Sequence, residues 1–115
     1  MNRTVIVIDD EGLMLDFVAR VLKPHFSVLT FSSVEEALPS LERAAIIVSD
    51  FQMPGLGGAG LIKHLQDTRS LPLLIISGLG PDAPELACAR DREIPILGKP
   101  FTPNELLHAV RALLS

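Results

Sequence analysis

Four short segments of the chain are apolar at consecutive positions, and they cover residues 5–8, 45–48, 73–76 and 94–97. A fifth and weaker segment of the same kind covers residues 27–30. Continuous rather than alternating apolarity is what strands need when both of their faces are buried, as in a parallel sheet. Pro95 has no N–H to give to a neighbouring strand, so the last of these segments is predicted to be an edge strand.

The segment after the first predicted strand has the period of an amphipathic helix. Leu13, Phe17 and Val21 recur at every fourth residue, and Val18 and Leu22 widen this apolar stripe. The pattern predicts a first helix whose stripe faces the core.

The second and third helices have less regular boundaries. Ser33 and Glu36 have the spacing of a capping box, which predicts the start of the second helix. Pro39 lies inside that helix, where it removes one hydrogen bond and is expected to bend it. The third helix is marked by three apolar residues, which are Leu61, Ile62 and Leu65. Its start is expected to be loose, because several glycines, which are poor helix formers, stand there.

The fourth and fifth helices are indicated by their start signals. Asp82 and Glu85 have capping spacing before the fourth helix. Thr102, Pro103 and Glu105 give the clearest start in the chain, with a Thr cap, a Pro in the first turn and a Glu at the third position. The positions predicted to face inward on this last helix are Leu106, Val110 and Leu113.

Strand and helix therefore alternate five times over residues 1–115, with no linker, repeat or low-complexity segment left over. This alternation implies a single α/β domain, with right-handed crossovers and helices on both faces of a parallel sheet. Ligands of such folds bind at the carboxyl ends of the strands, near the point where the strand order reverses. The chemistry is expected at that edge of the sheet.

The composition narrows the functions that remain. The formal net charge is −4 and no cluster of Lys or Arg stands out, which argues against direct binding to nucleic acid. Cys88 is the single cysteine, so it has no partner for an internal disulfide, and a reducing cytoplasm fits that count. The first apolar run already ends at Asp9, which is too short for a signal peptide or a membrane span.

Polar side chains stand at the carboxyl ends of four of the predicted strands, and they are Asp9, Asp10, Glu11, Asp50, Ser77 and Lys99. Carboxylates that are packed together raise one another's pKa unless a cation lies among them. A site made of oxygen ligands suits magnesium, whereas zinc is disfavoured because no Cys or His is placed to bind it. Phosphoryl transfer needs groups of this kind, which are a metal with open coordination positions, a carboxylate nucleophile, a hydroxyl and an ammonium.

These residues resemble the signature of the receiver domains of two-component response regulators. The matching positions are Asp9-Asp10, Asp50 followed by Met53-Pro54 and Gly58, Ser77-Gly78, and Lys99-Pro100-Phe101. Each piece is common by chance, but their order and spacing match from the first strand to the last helix. The resemblance implies a flavodoxin-like, doubly wound, five-stranded parallel sheet of order 2-1-3-4-5 with five helices, forming one receiver domain over residues 1–115.

The resemblance also implies a role for each site residue. Asp50 would be the phosphorylated residue, Ser77 would contact the phosphoryl group, and Lys99 would bind it. The ligands of Mg²⁺ or Mn²⁺ would be the carboxylates of Asp9, Asp10 and Asp50 and the backbone carbonyl of Gln52. The Lys99-Pro100 peptide bond is expected to be cis, which only X–Pro bonds allow at low cost.

The chain departs from the family pattern at a few positions. Ile96 stands where family members usually carry an aromatic switch residue, three positions before the lysine, so another route for the signal is expected. Gly78 replaces a more usual Ala and should open the pocket. Leu79 is apolar and is expected to slow the entry of attacking water. Gly57 replaces the usual acidic residue, so the loop after Asp50 is expected to be more mobile.

The partners follow from the same resemblance. A sensor histidine kinase or a histidine phosphotransfer protein would donate the phosphoryl group and dock near the first helix. An output domain or a separate target would bind the face made by the fourth helix, the fifth strand and the fifth helix. The formation of a homodimer is an alternative that the sequence leaves open. Beyond catalysing its own phosphorylation and dephosphorylation, the domain is expected not to be an enzyme.

Two other functions stay open beside this one. A pseudo-receiver would bind partners without a phosphoryl switch, and Ile96 is the residue that favours it. A small hydrolase or mononucleotide-binding protein is disfavoured, because no phosphate-binding GxxxxGK[ST] or GxGxxG loop follows a strand. Taken singly, Asp9, Asp10 and Asp50 could also be helix caps, and Ser77 could be a turn residue.

Overall fold

The computed structural model describes residues 3–68 and 71–115. Its strands are β1 (Thr4–Ile8), β2 (Ser27–Phe31), β3 (Ile46–Asp50), β4 (Leu73–Ser77) and β5 (Ile96–Gly98). All of the pairings are parallel, and the order across the sheet is β2-β1-β3-β4-β5. The predicted flavodoxin-like sheet and its strand order are confirmed. The point where the order reverses lies between β1 and β3.

The prediction of the last strand as an edge strand is also confirmed. Among the described residues β5 pairs only with β4, and it begins at Ile96, directly after Pro95. The three central strands are buried at nearly every residue, as their continuous apolarity requires, whereas β2 has only exposed and half-buried positions. The burial of the strands therefore follows the apolar runs of the sequence.

The helices are α1 (Gly12–Leu22), α2 (Val34–Ala37), α3 (Gly57–Thr68), α4 (Ala87–Arg90) and α5 (Pro103–Leu114), with 3-10 helices at Leu38–Arg43 and Pro84–Leu86. Within the described residues, no helix is long and apolar enough to cross a lipid bilayer. Helices α2, α3 and α4 pack on one face of the sheet, around Ile6, Ile47 and Ile75. Helices α1 and α5 pack on the other face, around Val7 and Val48.

The prediction of which face of α1 is buried is partly wrong. Val18 and Leu22 are buried as expected, but Leu13 is 83% exposed and Phe17 is 37% exposed. The apolar positions of this helix cover more than one face, so the every-fourth-residue spacing does not decide which stripe meets the sheet. The ring of Phe17 lies against the ring of Phe101, at 5.9 Å between centroids.

The second helix starts where the sequence predicts and ends earlier. Ser33 Oγ accepts a hydrogen bond from the Glu36 N–H, and the Glu36 carboxylate accepts from the hydroxyls of Ser32 and Ser33. The α-helix ends at Ala37, and the chain continues as a 3-10 helix with Pro39 in its first turn. The effect of Pro39 is thus a change of helix type rather than a bend in a longer α-helix, because proline cannot donate the next α-helical hydrogen bond.

The prediction of an Asp82 cap on the fourth helix is wrong. The 3-10 helix at Pro84–Leu86 follows Ala83, and no side chain caps it. Instead, Arg90 Nη1 donates to the carbonyls of Pro81 and Ala83 at 2.9 and 2.8 Å. The long Arg90 side chain thus satisfies backbone groups of the loop before the helix.

The predicted start of the fifth helix is confirmed. The Glu105 N–H donates to Thr102 Oγ1 at 3.1 Å, and the Thr102 N–H donates to the Glu105 carboxylate at 2.8 Å, which completes a capping box. Leu106 and Val110 are buried against the sheet, and Leu113 is half-buried. The helix therefore presents the apolar face that its spacing predicts.

Candidate functional site

The polar residues that the sequence singles out meet at the carboxyl edge of the sheet. An open depression at this edge is lined by Asp9, Asp10, Glu11, Asp50, Gln52, Ser77, Gly78 and Lys99. Four strands build it, because Asp50 and Ser77 are the last residues of β3 and β4, and Asp9 and Lys99 directly follow β1 and β5. The parallel topology brings residues together that lie up to 90 positions apart.

Three carboxylates form the floor and rim of the depression. Asp9 and Asp50 are 3% and 7% exposed, whereas Asp10 is exposed to solvent. One oxygen atom from each of the three lies within 4.8 Å of the others. Among the described residues, this is the one group of at least three acidic, His or Cys side chains with metal-binding proximity.

Burial in this pocket perturbs the carboxyl group of Asp9. Burial, with a smaller contribution from the negative charge of Asp50, raises the pKa of Asp9 to about 6. The Glu11 N–H donates to Asp9 Oδ1 at 2.9 Å, which acts in the opposite direction and limits the shift. A carboxyl group with a raised pKa gains when a cation approaches, because the cation stabilises its charged form.

Lys99 supplies the positive charge of the site. Its Nζ donates to Asp50 Oδ1 at 2.9 Å, in an ion pair that is partly shielded from solvent. Burial lowers the pKa of Lys99, but the hydrogen bond and the charge of Asp50 outweigh burial, so the pKa is raised. Lys99 follows β5 and Asp50 ends β3, so this ion pair bridges β4, the strand between them.

Ser77 lies at the back of the depression and is almost fully buried. Its Oγ accepts a hydrogen bond from the Leu79 N–H at 3.0 Å, and its backbone carbonyl accepts from the Lys99 N–H at 2.9 Å. A Cβ added at Gly78 would meet nothing within 4 Å, so the approach to the pocket is open there. The Lys99-Pro100 peptide bond is cis, as the resemblance implies.

The loop between β3 and α3 forms another wall. Gln52 lines the depression, and the Gly58 N–H closes the base of the loop by donating to the Phe51 carbonyl at 2.9 Å. Gly55 and Gly57 have φ values of +77° and +58°, which L side chains rarely adopt. These glycines therefore allow a tight turn, although one of them replaces an acidic residue of the family pattern.

The donor set fits a divalent cation such as Mg²⁺. Carboxylate oxygens from Asp9, Asp10 and Asp50 and the neighbouring backbone are hard ligands, and Mg²⁺ commonly binds to a few carboxylates and keeps several waters. The pKa of Asp9 is raised mainly because its carboxyl group is buried, and the negative charge of Asp50 adds to the shift although Lys99 opposes it. A cation would stabilise the charged form of that carboxyl group.

Ile96 occupies the position of the aromatic switch residue. It is half-buried and packs against the core cluster formed by the β-sheet with α2, α3 and α4. An aliphatic side chain in this place has no hydroxyl or ring edge to expose. The departure from the family pattern therefore places an aliphatic side chain, half-buried against the core, on the edge strand β5.

Sequence reasoning missed one residue that contacts the walls of the site. Glu35, on α2, accepts a hydrogen bond from the Leu56 N–H in the loop between β3 and α3. The sequence drew attention to Glu36 because of its capping spacing, and it offers no signal for Glu35.

The topology and the pocket together define a flavodoxin-like α/β domain with an acidic, lysine-bridged site at its switch edge. The chain belongs to the response regulator receiver domain family, whose model matches residues 5–111. Receiver domains are components of two-component signal transduction.

The similar curated proteins are regulators of greater length. The hydrogenase transcriptional regulatory protein HoxA of Cupriavidus necator is 34% identical over 112 residues, which cover 94% of this chain and 23% of HoxA. The transcriptional regulatory protein YvrH of Bacillus subtilis is 28% identical over 117 residues, which cover 98% of this chain and 49% of YvrH. The chain thus spans about half, or less, of the length of these relatives.

Solved structures show the same fold. The BeF3-activated receiver domain of DrrB, from Thermotoga maritima, superposes with a TM-score of 0.88 at 25% identity, covering 99% of this chain and 98% of that domain. The chemotaxis protein CheY4 of Vibrio cholerae superposes with a TM-score of 0.87 at 24% identity, and the superposition covers 99% of this chain and 100% of the CheY4 chain.

Proposed function

We propose that this receiver domain accepts a phosphoryl group on Asp50, with the help of Mg²⁺ or Mn²⁺, and thereby switches a surface that binds a partner. The observation that carries the proposal is the convergence of Asp9, Asp10 and Asp50 with Lys99 at one edge of the sheet. Helix capping would not require three carboxylates within 4.8 Å of one another and an ion pair across a strand.

Asp50 is the nucleophile in this proposal. Lys99 Nζ binds Oδ1, so we assign the attack to Oδ2. With a phosphohistidine donor, Oδ2 forms a bond to phosphorus while the N–P bond breaks and its electron pair returns to the imidazole. The result is an acyl phosphate on Asp50, which water later cleaves to carboxylate and phosphate. The domain therefore acts only on itself and is not an enzyme with an external substrate.

The other residues of the pocket neutralise and orient charge. Asp9, Asp10, Asp50 and the Gln52 carbonyl would hold the divalent cation, which when bound offsets the charge of the carboxylates and of the phosphoryl oxygens. The ammonium of Lys99 can move from Asp50 to a phosphoryl oxygen, and the Ser77 hydroxyl can donate to another. Positioning and charge neutralisation of this kind provide most of the catalysis in phosphoryl transfer.

The partners are proposed from the family resemblance. A sensor histidine kinase or a histidine phosphotransfer protein in the cytoplasm donates the phosphoryl group near α1, where Leu13 and Phe17 are exposed. An output domain or a target protein binds the face made by α4, β5 and α5, and homodimers through this face are compatible with the proposal. Because the similar regulators are longer than this chain, the output is assigned to a segment or partner outside it.

The experiment for this proposal is phosphorylation by acetyl phosphate, read by intact mass. We expect one added phosphoryl group that requires Mg²⁺ and disappears in an Asp50→Asn variant. Asp16→Asn, a matched change at an exposed position of α1, should be phosphorylated like the wild type. No adduct from acetyl phosphate or from phosphorylated histidine phosphotransfer protein would contradict the proposal and favour a pseudo-receiver that acts by binding alone.

A further inference from the structure

The loop of residues 51–58 carries a proposed metal ligand, the Gln52 carbonyl, and it is firmly anchored at its base. Phe51 is buried, and the Gly58 N–H donates to its carbonyl at 2.9 Å. An added Cβ on Gly58 would lie 2.8 Å from the Phe51 Cα, so the two backbones are in close contact. The first turn of α3 therefore holds the beginning and the end of the loop together.

The tip of the same loop, at Gly55 and Leu56, has little side-chain packing to hold it in place. Leu56 is 44% exposed, and Gly55 has no side chain to bury. Glycine loses more conformational freedom on ordering than any other residue, and this loop contains three glycines, at 55, 57 and 58. Within this loop Met53 is half-buried against the core, whereas Gly55 and Leu56 at the tip are exposed.

A carboxylate from another element reaches this tip. Glu35 Oε2 accepts a hydrogen bond from the Leu56 N–H at 3.1 Å, across a sequence separation of 21 residues. The positive φ of Gly55, +77°, brings the backbone so close that an added Cβ would overlap Glu35 Oε2. The carboxylate of the neighbouring Glu36 accepts hydrogen bonds from the hydroxyls of Ser32 and Ser33, so the two glutamates bind different partners.

We propose that Glu35 is a positioning residue, which fixes the tip of the loop between β3 and α3 and thereby places the Gln52 carbonyl for the divalent cation. The inference rests on the proposed function, because it concerns the same metal site. If the loop adopts its metal-binding conformation only part of the time, the apparent affinity for the cation is reduced by the fraction of molecules in that conformation. Glu35 raises this population by tying the loop to α2, which contributes no ligand of its own.

The test compares Glu35→Ala, Glu35→Gln and Glu42→Ala with the wild type. The first removes the acceptor, the second retains an acceptor oxygen without the charge, and the third removes an exposed glutamate from the adjacent 3-10 helix. Two quantities are measured: the hydrogen exchange rate of the Leu56 amide by NMR without metal, and the dissociation constant of Mg²⁺ by calorimetry. Neither depends on phosphorylation.

We expect Glu35→Ala to accelerate exchange at Leu56 and to raise the Mg²⁺ dissociation constant about threefold to tenfold, the range that corresponds to the net contribution of one ordinary hydrogen bond at an exposed position. Glu35→Gln should restore both quantities to within about twofold of the wild type, and Glu42→Ala should leave both unchanged.

Three results would overturn the role of Glu35. Wild-type affinity in Glu35→Ala would overturn it while leaving the metal site intact. A Glu35→Gln variant as weak as Glu35→Ala would show that charge, and not the hydrogen bond to Leu56, is what matters. A wild-type protein that binds no Mg²⁺ would overturn the metal site and the role of Glu35 together, and this result is recognised from the wild type alone.

Discussion

Asp9 illustrates how a functional pocket opposes stability at the scale of a single residue. Its carboxyl is almost fully buried beside Asp50, and the nearby Lys99 is already paired with Asp50. The folded protein therefore holds a carboxyl whose charged form is disfavoured, with a pKa of about 6 against an ordinary value of 3.8. Such a group binds protons more tightly in the folded than in the unfolded state.

This shift predicts the pH dependence of stability without metal. Between pH 3.8 and about 6 the folded state binds more protons at Asp9 than the unfolded state does. The contribution of Asp9 to the free energy of unfolding therefore falls as the pH rises through this window, and it stays low above pH 6. Asp9→Asn should remove this loss and make the protein more stable than the wild type at pH 7.

The measurement is urea unfolding in the presence of a chelator from pH 4 to 8. Asp16→Asn, at an exposed position of α1, is the control and should retain the wild-type pH dependence. If Asp9→Asn also retains that dependence, the burial of Asp9 is not what sets it.

The principal site residues could be placed from the sequence alone. Asp9 and Ser77 directly follow apolar runs and Asp50 stands one residue beyond another, so the parallel sheet fixes where their side chains meet. The hydrogen bond from Leu56 to Glu35 could not be predicted, because it depends on the shape of a glycine-rich loop and on where α2 lies. The strand ends are marked by the ends of apolar runs in the sequence, whereas a contact made by a loop depends on backbone geometry that the sequence pattern does not encode.

At the scale of elements, the junction of β3 and α3 depends on one close approach. A Cβ on Gly58 would lie 2.7 Å from a ring carbon of Phe51 and 2.8 Å from its Cα. Phe51 is buried in the core and cannot move away without disturbing its neighbours. The glycine there is required by contact with Phe51, and its φ is not in the left-handed region.

We predict that Gly58→Ala destabilises the protein by about 1 to 3 kcal/mol, the usual result of overpacking a buried site. Gly12→Ala is the matched control, because Gly12 begins α1 and a Cβ there would meet nothing within 4 Å. That change should leave the stability the same or raise it by up to about 1 kcal/mol, since alanine favours the helix. Urea unfolding of the two variants decides between these expectations, and equal stabilities would contradict the role of the contact.

The elements themselves were predictable to different degrees. Continuous apolar runs located the strands, because both faces of the central strands are covered. The face of α1 was not determined, because Leu13 and Phe17 are as apolar as Val18 and Leu22, and the packing of α1 against the sheet and α5 decides between the two stripes. The start of α4 was missed because no side chain caps the 3-10 helix before it, and the loop is held instead by Arg90, which donates to the carbonyls of Pro81 and Ala83.

At the scale of the whole molecule, the pocket exists only when the sheet is complete. Its carboxylates come from the ends of β1 and β3, and its lysine follows β5. The unfolded chain cannot bring these groups together, so a ligand of the pocket binds the folded state alone. Binding must then add to global stability.

We predict that Mg²⁺ at ten times its dissociation constant raises the free energy of unfolding by about 1.4 kcal/mol. Asp9→Asn should lose most of this increment, because a neutral amide replaces one of the clustered carboxylates. The measurement is urea unfolding with MgCl₂ against NaCl at equal ionic strength. An equal increment in the variant and the wild type would show that Mg²⁺ acts elsewhere on the protein.

The two outer strands of the sheet differ in a way that bears on self-association. β5 has only three residues, Ile96–Gly98, and Pro95 stands immediately before it without an N–H. β2 has five residues, Ser27–Phe31, and pairs with β1 on one side. A free strand edge is a template for pairing with another chain, and short edges next to proline are poor templates. If the protein is driven to aggregate, intermolecular sheet growth should therefore start at β2.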